Sequence, residues 1–338
     1  MTTQVQVGIE GRLGVITLNR PEAINALNQG MIDAIRGVLE LWADDEQISA
    51  VLFEARGSKG FCAGGDVRAV RRAILEGEHA AAEHFFAAEY AMNRQIATYP
   101  KPVAVIADGI VMGGGIGIAG HARYRFTTPS ARFAMPEAAI GFFCDVGVNE
   151  LLRKAPEQRA LLFALSGQVV GAADALALGL ADCAVAPERL AVLRDRVIIA
   201  AGRVHVDAAL AKLVEAESID AGERDFCDIC DRLSEVVALS SAAEIVAAIT
   251  KSGLAPELAQ VLASRSPTSQ AAILASHRAA RALGDVTAIL EMDLRLAWLL
   301  SALPDFAEGV RAVLVDKDHA PNWQTKVPHQ EIAAAVAG

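Results

Sequence analysis

Glu137 and Asp145 lie within the run Phe133-Ala-Met-Pro-Glu-Ala-Ala-Ile-Gly-Phe-Phe-Cys-Asp-Val-Gly147. Carboxylates placed close together in apolar surroundings have raised and interacting proton affinities. That suits general-base work on water or direct attack on an acyl carbon. An aspartate here equally suits the cap of a helix starting near Val146, so for Asp145 capping and catalysis stand side by side.

Two glycine-rich turns are the next candidates. Gly60-Phe61-Cys62-Ala63-Gly64-Gly65-Asp66 follows a buried strand and a loop carrying Arg56 and Lys59. Glycines let such a main chain bring its N–H groups close to a ligand, although taken alone a tight loop explains the pattern better. Gly109-Ile110-Val111-Met112-Gly113-Gly114-Gly115-Ile116-Gly117 enters a small-residue helix, whose unpaired N–H groups and positive dipole end suit an oxyanion. Gly115 to Gly120 also fits GxGxxG, with Glu137 near the distance of a ribose-binding acid. That match is weak, because the cluster sits mid-chain after an earlier α/β unit and Glu137 follows a proline that has just ended a strand.

Other signals are discounted. Cys227-Asp-Ile-Cys230 is a lone CxxC on an apolar stripe of Phe226, Ile229, Cys230 and Leu233, which reads as packing rather than zinc binding. His79-Ala-Ala-Ala-Glu-His84 misses HxxEH by one residue, turning the second histidine off the first one's helical face. Cys144 has no histidine nearby in sequence to activate it as an acyl carrier. The apolar run around Leu296 to Leu300 reads as helix core.

The elements that must position these residues follow from periodicity. Val5 to Ile9 and Val15 to Leu18 form a predicted hairpin. Met31, Ile32, Ile35, Val38, Leu39 and Trp42 then recur at helical spacing before a buried strand at Ile48 to Phe53. A helix over about 79–98, strands at Val103 to Ile106, Tyr124 to Thr127 and Arg132 to Met135, and a small-residue helix between them make an α/β fold. Beyond about Arg203 strands vanish, and Ser266-Pro267-Thr268 reads as a helix start. The expected domains are therefore a core over residues 1–202 and a helical C-terminal region over 203–338.

With 338 residues, 53% hydrophobic and 21% charged, the chain can bury a large core. Its net charge of -10 argues against a nucleic-acid partner held by phosphate neutralisation. Five scattered cysteines and a start without a basic flank and apolar run point to a soluble protein in a reducing, cytoplasmic setting, with no membrane span.

Val15-Ile-Thr-Leu-Asn-Arg-Pro21 with Asn25-Ala26-Leu27, the Cys62 to Asp66 loop, Met112 to Gly115 and Met135-Pro136-Glu137 together resemble the crotonase (enoyl-CoA hydratase/isomerase) superfamily. Phe85-Phe86 with Glu89-Tyr90, Phe133 to Gly147, Ser266 to Ser269, and the block Asp305 to Asp318 with Trp323 resemble its 3-hydroxyisobutyryl-CoA hydrolase branch. The resemblance implies a spiral of strand, strand, helix turns, and a thioester oxygen held by the backbone N–H groups of Gly65 and Gly114. It further implies Glu137 as base or nucleophile, Asp145 as its orienting partner, and Glu89, Ala63 and Asp66 in substrate binding. Hydratases carry a second catalytic Glu where this chain has Gly117, so water addition to a double bond is not expected. A double-bond isomerase and a non-catalytic CoA-binding protein are the alternatives. Cys144 stands at a usual proline, and Val148-Asn149 replaces smaller residues. No cofactor or metal is implied, since CoA is part of the substrate. Arg56, Lys59 and Arg68 are candidates for its phosphates, and a homo-oligomer is left open.

Overall fold

The computed structural model describes residues 3–338. Its first two strands, β1 (Val5–Glu10) and β2 (Leu13–Leu18), form the expected antiparallel hairpin, pairing Glu10 with Leu13 around Gly11 in the left-handed region. β1 is mostly exposed, whereas every residue of β2 is buried. The helix Gln29–Ala43 follows, capped by Asn28, whose side chain accepts from the N–H of Met31. Its buried face is Met31, Ile32, Ile35, Leu39 and Trp42, which is the apolar stripe read from the spacing.

The chain then repeats one unit. β3 (Ala50–Ala55), β5 (Val103–Ala107) and β7 (Tyr124–Thr127) join β1 and β2 in a six-stranded sheet, closed by β9 (Cys183–Ala184) in the order β1-β2-β3-β5-β7-β9. The second strand of each pair, β4 (Gly60–Cys62), β6 (Ile110–Met112) and β8 (Arg132–Ala134), enters a three-stranded sheet in the order β4-β6-β8. Each repeat thus adds one strand to each sheet, which is the expected spiral. From β2 onward the larger sheet is parallel, as befits strands joined by crossovers.

Internal contacts divide the chain into two compact units that interleave in sequence. One comprises Met1–Gly65, Ala91–Phe133 and Val170–Arg224, the other Asp66–Tyr90, Ala134–Val169 and Asp225–Gly338. The first holds the six-stranded sheet, whose core packs Leu13, Val15, Leu52 and Phe126 with Leu193, Val197, Leu210 and Leu213 of the helices Leu190–Ala201 and Val206–Glu217. The second is mainly helical. Beyond residue 203 the named elements are all helical, from Val206–Glu217 to His329–Ala337. Ser266 caps the helix Pro267–Leu283 by accepting from Ser269 N–H, as its sequence predicts.

Among the described residues no helix is long and apolar enough to cross a membrane, and all five cysteines are buried thiols.

Candidate active site

The two glycine turns fall within the first unit and pack backbone against backbone. A Cβ on Gly60 would sit 2.3 Å from Ile110 N, and one on Gly115 would sit 2.4 Å from the Cys62 carbonyl oxygen, so no larger residue fits either place. A Cβ on Gly64, at φ +107°, would come to 3.2 Å from Met112 O and 3.4 Å from Gly114 N, a tight approach. Gly113, at φ 48° and ψ -121°, turns the chain into the buried helix Gly114–His121. Gly114 therefore sits in the first turn, where the helix's own ladder supplies no acceptor for the N–H. Gly117 lies inside that helix, buried.

The loop that carries Gly65 is tied from behind by the Asn25 segment. Asn25 is fully buried at φ 54°; its side-chain oxygen accepts from Arg20 N–H at 2.8 Å, and its amide donates to the carbonyls of Arg56 and Phe61, both at 3.0 Å. Leu27 N–H donates to Gly64 O at 2.8 Å, and Ala63 N–H to Ile24 O at 2.9 Å. The Asn-Ala-Leu motif thus has a physical task, which is to fix this turn. Asp66 caps the helix Val67–Leu75, accepting from Ala69 N–H at 3.3 Å. Arg56 and Lys59 are exposed, while Arg68 donates to the carbonyl of Leu314.

The carboxylates gather in the second unit. Glu137 sits on the 3-10 turn Pro136–Ile140, Glu89 on the helix His79–Ala97, Asp145 on the loop before the short helix Val148–Leu152, and Asp293 on the helix Val286–Ser301. All four are buried. Tyr90 donates its hydroxyl to Asp145 Oδ2 at 2.7 Å, and Gly147 N–H donates to Asp293 Oδ2 at 2.8 Å. The N-cap of Val148–Leu152 is Gly147, with no side-chain cap bond. Asp145 is therefore not the helix cap that its sequence position also allowed; its side chain faces Tyr90. Among the described residues, Glu137 Oε2, Glu89 Oε1 and Asp293 Oδ1 are buried without a hydrogen-bond partner.

Aromatic rings cluster on the same segments, and burial raises the proton affinity of these acids. Phe86 stacks on Phe142 with centroids 5.1 Å apart, Phe142 meets Phe306 at 5.4 Å, and Tyr90 lies 6.1 Å from Phe86. Burial raises Glu137 well above the usual carboxylate range, and the neighbouring Asp145 and Glu89 raise it further. Glu89 moves the same way through burial and Asp145. Asp145 is pushed up to about 7 by burial, against the bond from Tyr90 that favours its anion. Asp293 is also raised by burial and by Asp145. The group therefore loses its protons in steps that belong to the cluster, with Asp145 the member best equipped to ionise first.

Cys144 lies beside this group, but burial and the nearby carboxylates push its thiol up, which opposes a nucleophilic thiolate. Its Sγ faces the carbonyls of Ala164 and Met135 instead. Cys227 and Cys230 are buried on the helix Asp225–Asp231. Among the described residues no group of three or more His, Cys, Asp or Glu is arranged to hold a metal ion.

Sequence reasoning missed two parts of this arrangement. Tyr90 was noted only as the neighbour of Glu89. Asp293 stands at a core position of the stripe Ile289, Asp293, Leu296 and Leu300, where an acid on an apolar helix face was the available signal. A further buried pair, His277 Nδ1 and Asn149 Oδ1 at 2.9 Å, links the helix Pro267–Leu283 to Val148–Leu152. Burial and the nearby Arg281 and Arg278 lower this histidine to about 4, so it is neutral.

Residues 13–337 match the Enoyl-CoA hydratase/isomerase family. The mitochondrial 3-hydroxyisobutyryl-CoA hydrolase of Xenopus tropicalis is 36% identical over 94% of this chain and 83% of its own length. The human protein of that name is 33% identical over 93% and 82%. Among solved structures, a carnitinyl-CoA dehydratase from Mycobacterium thermoresistibile aligns at TM-score 0.90 and 35% identity, covering 100% of this chain and 97% of that one. An enoyl-CoA hydratase from Rhodobacter sphaeroides 2.4.1 aligns at TM-score 0.87 and 32% identity, covering 99% and 97%.

These relatives correct one expectation. The cytoplasmic setting does not stand, because these similar hydrolases are named as mitochondrial. Reduced cysteines separate reducing from oxidising compartments and carry no information among the reducing ones. With a match that runs nearly from end to end, the chain belongs to the enoyl-CoA hydratase/isomerase family and is 3-hydroxyisobutyryl-CoA hydrolase-like.

Proposed function

We propose that the protein hydrolyses a short β-hydroxyacyl-CoA thioester, 3-hydroxyisobutyryl-CoA first among them, releasing 3-hydroxyisobutyrate and CoA as in valine breakdown. The observation that carries this reading is the buried Glu137 with its unpartnered Oε2, set near Asp145 and Glu89. The names of the hydrolase relatives support the same substrate class.

In the proposed reaction the N–H groups of Gly65 and Gly114 receive the charge that develops on the thioester oxygen. Each such donor is worth about 3 kcal/mol in comparable sites. Glu137 either takes a proton from water as that water attacks the carbonyl carbon, or attacks it directly to give an anhydride that water then opens. The carbon–sulfur bond breaks, and the departing CoA thiolate becomes thiol by taking up the proton that the attacking water gives up. Asp145 orients Glu137 or the water, and Glu89, Ala63 and Asp66 contact the substrate. Gly117 offers no acid for the hydratase partner role, which favours hydrolysis over water addition.

Thiol release from a panel of short β-hydroxyacyl-CoA esters tests this. Glu137→Gln is expected to abolish release and Asp145→Asn to reduce it strongly. Wild-type turnover in Glu137→Gln would reject the assignment. An enoyl-CoA whose double bond shifts without thiol release favours an isomerase instead. CoA binding by calorimetry with no turnover on any ester favours a non-catalytic binding protein.

A further inference from the structure

Asp145 is held from two sides by groups that the proposed reaction does not use. From the helix His79–Ala97, Tyr90 donates to Oδ2 at 2.7 Å. Tyr90 is itself buried, at 3% exposure, and its ring leans on Phe86, so its hydroxyl has little freedom to swing elsewhere. From the helix Val286–Ser301, Asp293 grips the turn just after Asp145, accepting from Gly147 N–H at 2.8 Å. That turn is unusual backbone: Val146 has φ 54° and Gly147 φ 70°. A β-branched residue in the left-handed region persists only where its surroundings hold it there.

We propose that Tyr90 is a positioning residue for Asp145, with Asp293 bracing the turn that presents it. The inference rests on the reading of Asp145 as part of the catalytic group, and it assigns both residues an effect exerted through Asp145 rather than on substrate. The groups facing Asp145 are Glu89 and Tyr90 from one helix, Glu137 from the 3-10 turn, Asp293 from another helix and Cys144 beside it. His277, on the helix packed against Val148–Leu152, is held neutral. Of these, Tyr90 is the one seen donating a hydrogen bond to the Asp145 side chain. The bond favours the anion, so its removal must make the carboxyl harder to ionise.

Tyr90→Phe keeps the ring and deletes only the donor. Titration of 13C-labelled aspartate carboxyls, with Asp145→Asn supplying the assignment, reads the effect without any substrate. The Asp145 titration, near pH 7 in the wild type, is expected to move up by about one unit, as suits loss of a hydrogen bond to a charged group. An unmoved midpoint overturns the proposal, whatever the enzyme's substrate proves to be. In thiol-release kinetics the limb of kcat/KM that rises with pH is expected to shift to higher pH in the same variant. Asp293→Ser, too short to reach Gly147, is expected to lower kcat about tenfold with KM little changed, since small displacements of catalytic groups are costly. Asp293→Asn, which restores an acceptor, is expected to recover most of that loss. Equal kcat in the two Asp293 variants overturns the bracing role. If the wild type releases no thiol from any ester while the Tyr90→Phe titration still shifts, the functional reading fails and the positioning of Asp145 stands.

Discussion

Gly309→Ala should slow the enzyme strongly at a modest cost in stability. Gly309 lies on the helix Pro304–Val310, which packs directly on the 3-10 turn that presents Glu137. A Cβ at position 309 would meet Ile140 C at 2.3 Å and its Cα and O at 2.6 Å. Carbon atoms rest about 3.5–4.0 Å apart, so the backbone at Ile140, three residues past Glu137, must retreat by roughly 1.2–1.7 Å. It cannot retreat freely, because a Cβ at Gly141 would lie 2.0 Å from Asp305 O, which marks the next point of the same close backbone contact. Overpacking of this kind costs about 1–3 kcal/mol. Replacing a helical glycine by alanine returns up to about 1 kcal/mol. The net stability loss is then about 0–3 kcal/mol, whereas a displacement on the order of 1 Å at a catalytic group costs about 100-fold in rate. Thiol-release kinetics and thermal unfolding on the same samples separate the two effects. Gly37→Ala is the control, since that helical glycine has open space around its Cβ position; it should retain full activity and unfold slightly later. Wild-type kcat in Gly309→Ala would refute the idea that this helix sets the position of Glu137.

The raised carboxylates also make a stability prediction. Asp145 moves from 3.8 to about 7 on folding. Between those values the folded chain keeps a proton that the unfolded chain has released, so this group's stability contribution falls as pH rises toward 7. Asp145→Asn should therefore unfold later than the wild type, by a margin that widens from about pH 4 to about pH 7 and then levels off; a margin that narrows over this range contradicts the burial argument. All five cysteines are buried, so native protein should react with a thiol reagent only as fast as it opens, and rapid labelling of any one of them contradicts the packing. Arg56 and Lys59 are exposed beside the Gly60 to Asp66 loop. Their joint replacement by Ser should weaken CoA binding and flatten its salt dependence, and unchanged affinity removes them from phosphate binding.

Local pattern determined a good part of this protein. Periods of two and about 3.6 residues placed the hairpin, the Gln29–Ala43 helix and the parallel strands, because burial of one face is a local property of the chain. Motif similarity across nearly the whole sequence indicated the family. Glycine spacing located both backbone turns, since only glycine permits the contacts that Gly60 and Gly115 make. The short strand Cys183–Ala184 was not legible, as two residues carry no periodicity.

What tertiary structure alone decided is which groups meet. Asp145 was compatible with a helix cap until Tyr90, 55 positions earlier in the chain, was found at 2.7 Å. Asp293 carried no reading from the sequence, and its bond to Gly147 spans 146 positions. The proton affinities of the carboxylate group follow from those meetings, because desolvation and charge proximity depend on neighbours in space. A sequence records each residue's type and its near neighbours along the chain, while the field around a buried acid is set by atoms brought in from distant segments.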